Sequence, residues 1–96
     1  MRKLRFYADP GHSWLRVPLS ELGSFIPSQY SYRGERYAYL EEDCDAPGWL
    51  ASQGCLIAGR VVGVEFETRH VNQDSHIRRM PRFDGIDNNW RAYIGL

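Results

Sequence analysis

Four tyrosines that alternate with other residues around a short turn are the strongest constraint on how this chain can fold. They flank the dipeptide Gly34-Glu35. Alternation at a period of two is typical of a β-strand, and a glycine-containing turn between two such runs predicts a β-hairpin. Because a small antiparallel sheet buries one face, we expect at least half of the rings to lie in the core. If the arms pair across the turn, one face carries Tyr30, Tyr32, Tyr37 and Tyr39.

Further strands are predicted before and after this hairpin. Residues 4–8 and 14–17 alternate apolar and polar side chains on either side of residues 9–12. Those four residues include a proline that presets φ and a glycine that permits positive φ, and they predict a turn. Residues 60–69 alternate in the same way and predict the last clear strand.

Two short helices are predicted between the strands. Residues 19–26 place apolar side chains at helical spacing after Pro18. A second helix is predicted from Asp45, which can cap the free backbone N–H groups, through Ile57, with Gly59 at the C-terminal cap. The order ββαββαβ predicts an α+β domain with a mostly antiparallel sheet of about five strands and both helices on one face.

Length and composition predict one domain in a reducing compartment. The 96 residues are enough for a single domain, with residues 1–70 as its compact α+β part and residues 71–96 as a C-terminal tail. That tail either covers a sheet face or serves as a recognition arm. Two cysteines are too few for a disulfide scaffold and are not spaced as a zinc motif, so we expect free thiols.

Charge and hydropathy exclude several classes of function. Twelve basic and twelve acidic residues cancel, which argues against a general polyanion-binding protein. No long apolar run follows the basic N-terminal residues, and no segment approaches the roughly 18 apolar residues of a membrane helix. We therefore expect a cytoplasmic protein that makes no membrane contact.

A catalytic or metal site would have to draw on four residues in two predicted loops. Asp9 fits an ordinary turn and Asp45 an ordinary helix cap. The carboxylates around Cys44 are unlike the electropositive surroundings of reactive cysteines. Phosphate-loop, metalloprotease and hydrolase motifs are missing from the sequence. We therefore expect no metal and no cofactor, and we keep as an alternative a small enzyme built on Asp9, His12, Cys44 and Asp45.

Several stretches resemble small phage, prophage and mobile-element proteins of Gram-negative bacteria. The stretches that match are FYADPGHSWLRVP at residues 6–18, YSY at residues 30–32 and YLEEDCDAP at residues 39–47, with weaker matches at residues 64–66 and 75–78. That group has no activity to carry over, so the resemblance implies a genetic setting. By analogy, small proteins in such settings often block host machinery by binding, and inhibitors of CRISPR surveillance complexes are among them.

A non-catalytic protein that binds a host or phage protein is the function we predict. Tyrosine and arginine are enriched where interfaces carry their energy. A nucleic-acid module that uses the C-terminal arginines is an alternative, and a homodimer is another, because acidic and basic patches of two copies can meet. The predicted protein-binding residues are Tyr30, Tyr32, Tyr37, Tyr39, Glu41, Glu42, Asp43, Asp45, Arg78, Arg79 and Arg82.

Overall fold

The structure, a computed structural model, describes residues 1–83. That part of the chain contains seven strands and one α-helix. Five of the strands form one sheet and two form a small separate hairpin. Two single 3₁₀ turns lie at Leu19–Glu21 and His76–Arg79. In chain order the strands and the helix are β1 (Arg2–Ala8), β2 (Ser13–Pro18), β3 (Tyr32–Arg33), β4 (Tyr37–Glu41), α1 (Asp45–Ser52), β5 (Leu56–Ile57), β6 (Arg60–Val61) and β7 (Val64–His70).

The main sheet has the strand order β3-β4-β2-β1-β7 and is antiparallel except at one pair. Consecutive strands joined by tight turns pair antiparallel, as β1 with β2 and β3 with β4. Strand β7 instead pairs parallel with β1, because the intervening chain crosses over through α1 and the small hairpin β5-β6. The predicted α+β class with a mostly antiparallel five-stranded sheet is confirmed.

One face of the sheet forms the larger core against α1. Alternate residues of the strands point to this side, and Trp49 of α1 is 1% exposed at its centre. The indole N–H of Trp49 donates to the backbone oxygen of Glu21 at 3.0 Å, which satisfies its one polar atom. The residues buried between sheet and helix include Leu4, Leu15, Val17, Ala38, Leu40, Ala46, Trp49 and Leu50.

The opposite face is covered by the chain after β7. Ile77 is fully buried against Trp14, Tyr32 and Tyr39, and Met80 packs beside them. Residues 81–83 then run along the outer edge of β3, where the backbone N–H of Arg33 donates to the oxygen of Pro81. The remainder of the predicted tail, residues 84–96, lies outside the described residues.

The helical segments are shorter than the periodicity predicts. Only Leu19–Glu21 of the first predicted helix is helical, as a 3₁₀ turn, and Gly23 follows at φ 59°. Helix α1 ends at Ser52 because Gly54 takes φ 72°, so the predicted extension to Ile57 is wrong. The predicted strand at residues 60–69 is split in two at Gly63, where φ is 77°. No helix within residues 1–83 is long and apolar enough to cross a membrane.

Candidate functional site

Two loops that the sequence singles out lie side by side at one end of the sheet. Trp14 of β2 is paired with Glu41 of β4, so the turn before β2 adjoins the turn after β4. The hydroxyl of Ser13 donates to Glu42 Oε2 at 2.5 Å and joins the two turns. We call this surface, residues 9–13 and 41–45, the acidic end.

Asp9 holds the first of these loops to the chain after β7. Its side chain is fully buried and accepts two hydrogen bonds from Arg78, at 2.6 Å from Nε and 2.9 Å from a terminal nitrogen. The backbone N–H groups of Ser75, Gly11 and His12 each donate to it at 3.0 Å. The Arg78 guanidinium and these N–H groups outweigh burial and hold the pKa of Asp9 well below its usual range.

Glu41 caps helix α1 from the end of β4. Its carboxylate accepts the backbone N–H groups of Asp43, Cys44 and Asp45, which have no partner inside the helix. Burial alone would raise the pKa of Glu41, but these three N–H groups more than offset it and the pKa lies below its usual range. The prediction that Asp45 caps the helix is wrong, because its side chain points to another loop.

Asp45 fixes the loop that precedes β3. It is 6% exposed and accepts the backbone N–H of Ser28 at 2.9 Å, the hydroxyl of Ser28 at 2.8 Å and the hydroxyl of Ser31. The same Ser31 hydroxyl accepts the backbone N–H of Glu41 at 3.0 Å. Residues 28–31 are thereby joined to the acidic end. The three carboxylates Asp9, Glu41 and Asp45 thus hold loops of the fold in place.

Exposed side chains remain on the loops that these carboxylates hold. Glu42, Asp43 and Cys44 are exposed at the turn between β4 and α1. Tyr30 is 62% exposed on the adjoining loop, and its backbone N–H donates to the Ser28 hydroxyl at 3.2 Å. The acidic end therefore presents two carboxylates beside a loop that carries one exposed ring.

The tyrosines divide between core and surface. Tyr32 and Tyr39 lie opposite each other in the hairpin and are buried, which confirms that at least half of the rings belong to the core. Burial raises the pKa of Tyr39. Tyr37 is half-buried beneath Arg16, whose guanidinium carbon is 4.4 Å from the ring centroid, whereas Tyr30 precedes the strand. Whether any of these rings contacts a partner stays a prediction.

The C-terminal arginines are largely engaged with their own chain. Arg78 pairs with Asp9 and lies 5.2 Å from the ring of Trp14. Arg82 lies 5.1 Å from the ring of Tyr32 and donates to its hydroxyl at 3.0 Å. Arg79 is exposed. The predicted contact of these arginines with a partner likewise stays a prediction.

Of the four residues of the alternative enzyme site, Asp9 and His12 belong to one turn, where the backbone N–H of the exposed His12 donates to Asp9, while Asp45 is bound to another loop. Asp9 and Asp45 accept hydrogen bonds from different segments, residues 75–78 and residues 28–31. Both cysteines are free of disulfides, with Cys44 exposed rather than buried. Over residues 1–83, no group of three or more histidine, cysteine or acidic side chains is arranged to hold a metal ion.

The depressed pKa values of Asp9 and Glu41 predict a loss of stability in acid. Groups whose pKa is lower in the folded state stabilise the fold above their unfolded pKa, about 4, and lose that contribution as the pH falls below it. We expect the free energy of unfolding from urea titrations to fall from about pH 5 downward. The Asp9→Asn variant should show a shallower fall, and an equal slope in both proteins would contradict this assignment.

Comparisons with protein-family models, with curated proteins and with solved structures find no match to this chain. The acidic end supplies the observations that bear on function. The carboxylates of Asp9, Glu41 and Asp45 each accept several hydrogen bonds from the protein, whereas Glu42 and Asp43 are exposed and Glu42 accepts one, from Ser13. Glu42 also lines an open surface cavity together with His12 and His70.

Proposed function

We propose that this domain acts without catalysis, by binding a host or phage protein through the acidic end. The observation that carries the proposal is that the carboxylates of the acidic end differ in exposure and in the hydrogen bonds that they accept. Asp9, Glu41 and Asp45 fix the loops, while Glu42 and Asp43 are exposed on them, Glu42 with one hydrogen bond from the Ser13 hydroxyl. In the setting that the sequence resemblance implies, the partner lies in the host cytoplasm, and a host-defence complex is one such target.

Rigid presentation favours tight binding through so small a surface. A contact surface that is already ordered loses little conformational freedom on association. The turn that carries Glu42 and Asp43 is fixed by the three backbone N–H groups bound to Glu41. Tyr30, on a loop tied to Asp45, adds a large contact area with only two rotatable bonds.

The exposed charges indicate a basic partner surface. Carboxylates steer a positively charged partner and reject like-charged ones. A partner surface whose basic side chains otherwise contact nucleic-acid phosphates would suit the acidic end, because the carboxylates would imitate those phosphates. Direct binding of nucleic acid is less well supported, because exposed carboxylates repel phosphate and Arg78 is already paired with Asp9.

Charge reversal at the acidic end tests the proposal. The tagged wild-type protein is used to capture a partner from a natural host lysate, and the purified partner is then titrated against variants. We expect Glu42→Lys with Asp43→Lys to weaken binding by more than tenfold, since two favourable charges become repulsive. The matched control is Glu35→Lys, at the exposed hairpin turn on the opposite end of β4.

Stability measurements separate binding from folding in this experiment. Asp43→Lys should change the unfolding free energy by no more than about 0.5 kcal/mol. Glu42→Lys also loses the exposed hydrogen bond from Ser13 and should cost about 1 kcal/mol. A double variant that remains folded and binds its partner with unchanged affinity would refute the proposal. Capture that disappears on nuclease treatment would instead favour the nucleic-acid alternative.

A further inference from the structure

Within residues 1–83, one outer edge of the main sheet is hydrogen-bonded to a further segment and the other edge is open. Along the outer edge of β3, residues 81–83 exchange backbone hydrogen bonds with residues 31–33. Along the outer edge of β7, the described residues supply no backbone partner. Six of the seven residues of β7 are exposed. A long uncovered edge strand is a template for pairing with another strand.

The backbone of β7 fixes which of its residues a new strand can bond. The N–H of Val71 donates to the oxygen of Ala8 at 2.9 Å, so odd-numbered residues direct their backbone groups toward β1. Even-numbered residues then direct theirs outward. If the β7 strands of two copies pair antiparallel, even-numbered residues must therefore lie opposite even-numbered residues. The two-fold axis that relates the copies then passes through a residue position, not between two residues.

We propose that two copies of this chain pair through β7, antiparallel, with the two-fold axis at Thr68. In this register the Glu67 carboxylate, which within its own chain pairs with Arg69 at 2.9 Å and with Arg5 at 3.5 Å, also lies opposite Arg69 of the other copy, which gives two further attractive pairs. An axis at Glu67 would also give two attractive pairs, of Glu65 with Arg69, but it would place the two Glu67 side chains opposite each other; an axis at Phe66 would place Glu65 opposite Glu67. Like charges directly opposite are destabilising, and Thr68 is the one of these three axes that places no like charges opposite each other.

Exposed apolar side chains beside β7 support this pairing. Phe66 is 38% exposed at the outer strand, where its ring meets that of Phe6 at 5.1 Å. Stable interfaces bury about 1,200–2,000 Å² in total, more than one pair of strands supplies, so neighbouring side chains must contribute. Val62 and Val71, which flank β7 in the sequence, are also exposed apolar side chains.

Paired charge variants test the register in the full chain. Sedimentation equilibrium over a wide range of concentration should show a reversible dimer for the wild type. Glu67→Arg and Arg69→Glu, each alone, place like charges opposite each other and should weaken self-association roughly tenfold. An equimolar mixture of the two variants restores both opposite-charge pairs across the interface and should form a heterodimer. Changes within each chain cannot explain that recovery.

Two further measurements complete the test. Thr68→Pro removes an outward N–H without touching the bonds to β1, and it should abolish the dimer while Arg79→Glu leaves it intact. Amide exchange of Phe66, Thr68 and His70 should slow as the protein concentration rises. A wild type that stays monomeric, a mixture no more associated than its components, or protection that is independent of concentration would overturn the proposal. It is independent of the acidic end, so either proposal can fail alone.

Discussion

Replacing Asp9 by asparagine is expected to lower the free energy of unfolding by about 3 kcal/mol. The substitution removes the negative charge that faces Arg78 and leaves that guanidinium, 30% exposed, without its bidentate partner. It also weakens the bonds that hold residues 75–78 to the turn before β2. Natural domains have only about 5–15 kcal/mol of stability in total. The melting temperature should fall by about 4–8 °C for each kcal/mol lost.

Asp74→Asn is the matched control for this effect. Asp74 is exposed and lies in the charge environment of Arg78 without bonding to it. Its replacement should change stability by less than about 0.5 kcal/mol. If both variants melt together, the pairing of Asp9 with Arg78 does not stabilise the fold as argued.

Replacing Asp45 by alanine is expected to cost about 3 kcal/mol. The partly buried N–H and hydroxyl of Ser28 and the buried hydroxyl of Ser31 would lose their acceptor. Unsatisfied buried donors cost about 1–3 kcal/mol each. Asp45→Asn retains one carbonyl oxygen at the site and should cost less than the alanine variant.

The adjacent Asp43 provides the comparison. It carries the same charge two residues away but is exposed, so Asp43→Ala should leave the unfolding free energy within about 0.5 kcal/mol of the wild type. Chemical denaturation of the variants measures all three values. Equal losses for Asp43→Ala and Asp45→Ala would show that net charge at this turn matters, rather than burial.

Local patterns allowed the strands to be predicted from the sequence. The alternation around residues 9–12 led to β1 and β2, and the alternating tyrosines led to β3 and β4. These hairpins depend on neighbours in the sequence, whose side-chain period and turn residues are visible in it. Burial of Tyr32 and Tyr39 followed from the need of a small sheet to bury one face.

Contacts between distant segments could not be predicted in the same way. Nothing in the local pattern of residues 64–70 distinguishes pairing with β1 from pairing with β3. The helical segments end where Gly23 and Gly54 adopt positive φ. In the sequence, a glycine indicates only that a helix is weakened and does not give the residue at which the helix ends.

The roles of the acidic residues could likewise be predicted only in part. The sequence marked residues 41–45 as one acidic surface, but the fold uses Glu41 as a helix cap and Asp45 as an acceptor for Ser28 and Ser31. A glutamate just before the expected start of α1 was the available signal for the cap. No signal pointed to the serines, because their partner lies 14 or more residues away.

The parallel pairing of β1 with β7 also has a consequence for biosynthesis. Strand β1 can pair with β2 as soon as both are made, but its other neighbour is the last strand to be made of the sheet that the structure describes. Domains emerge from their N-terminus at about 5–20 residues per second, so β1 waits for several seconds with one side open. Nascent chains that stop before residue 64 therefore lack a complete sheet and expose one edge of β1.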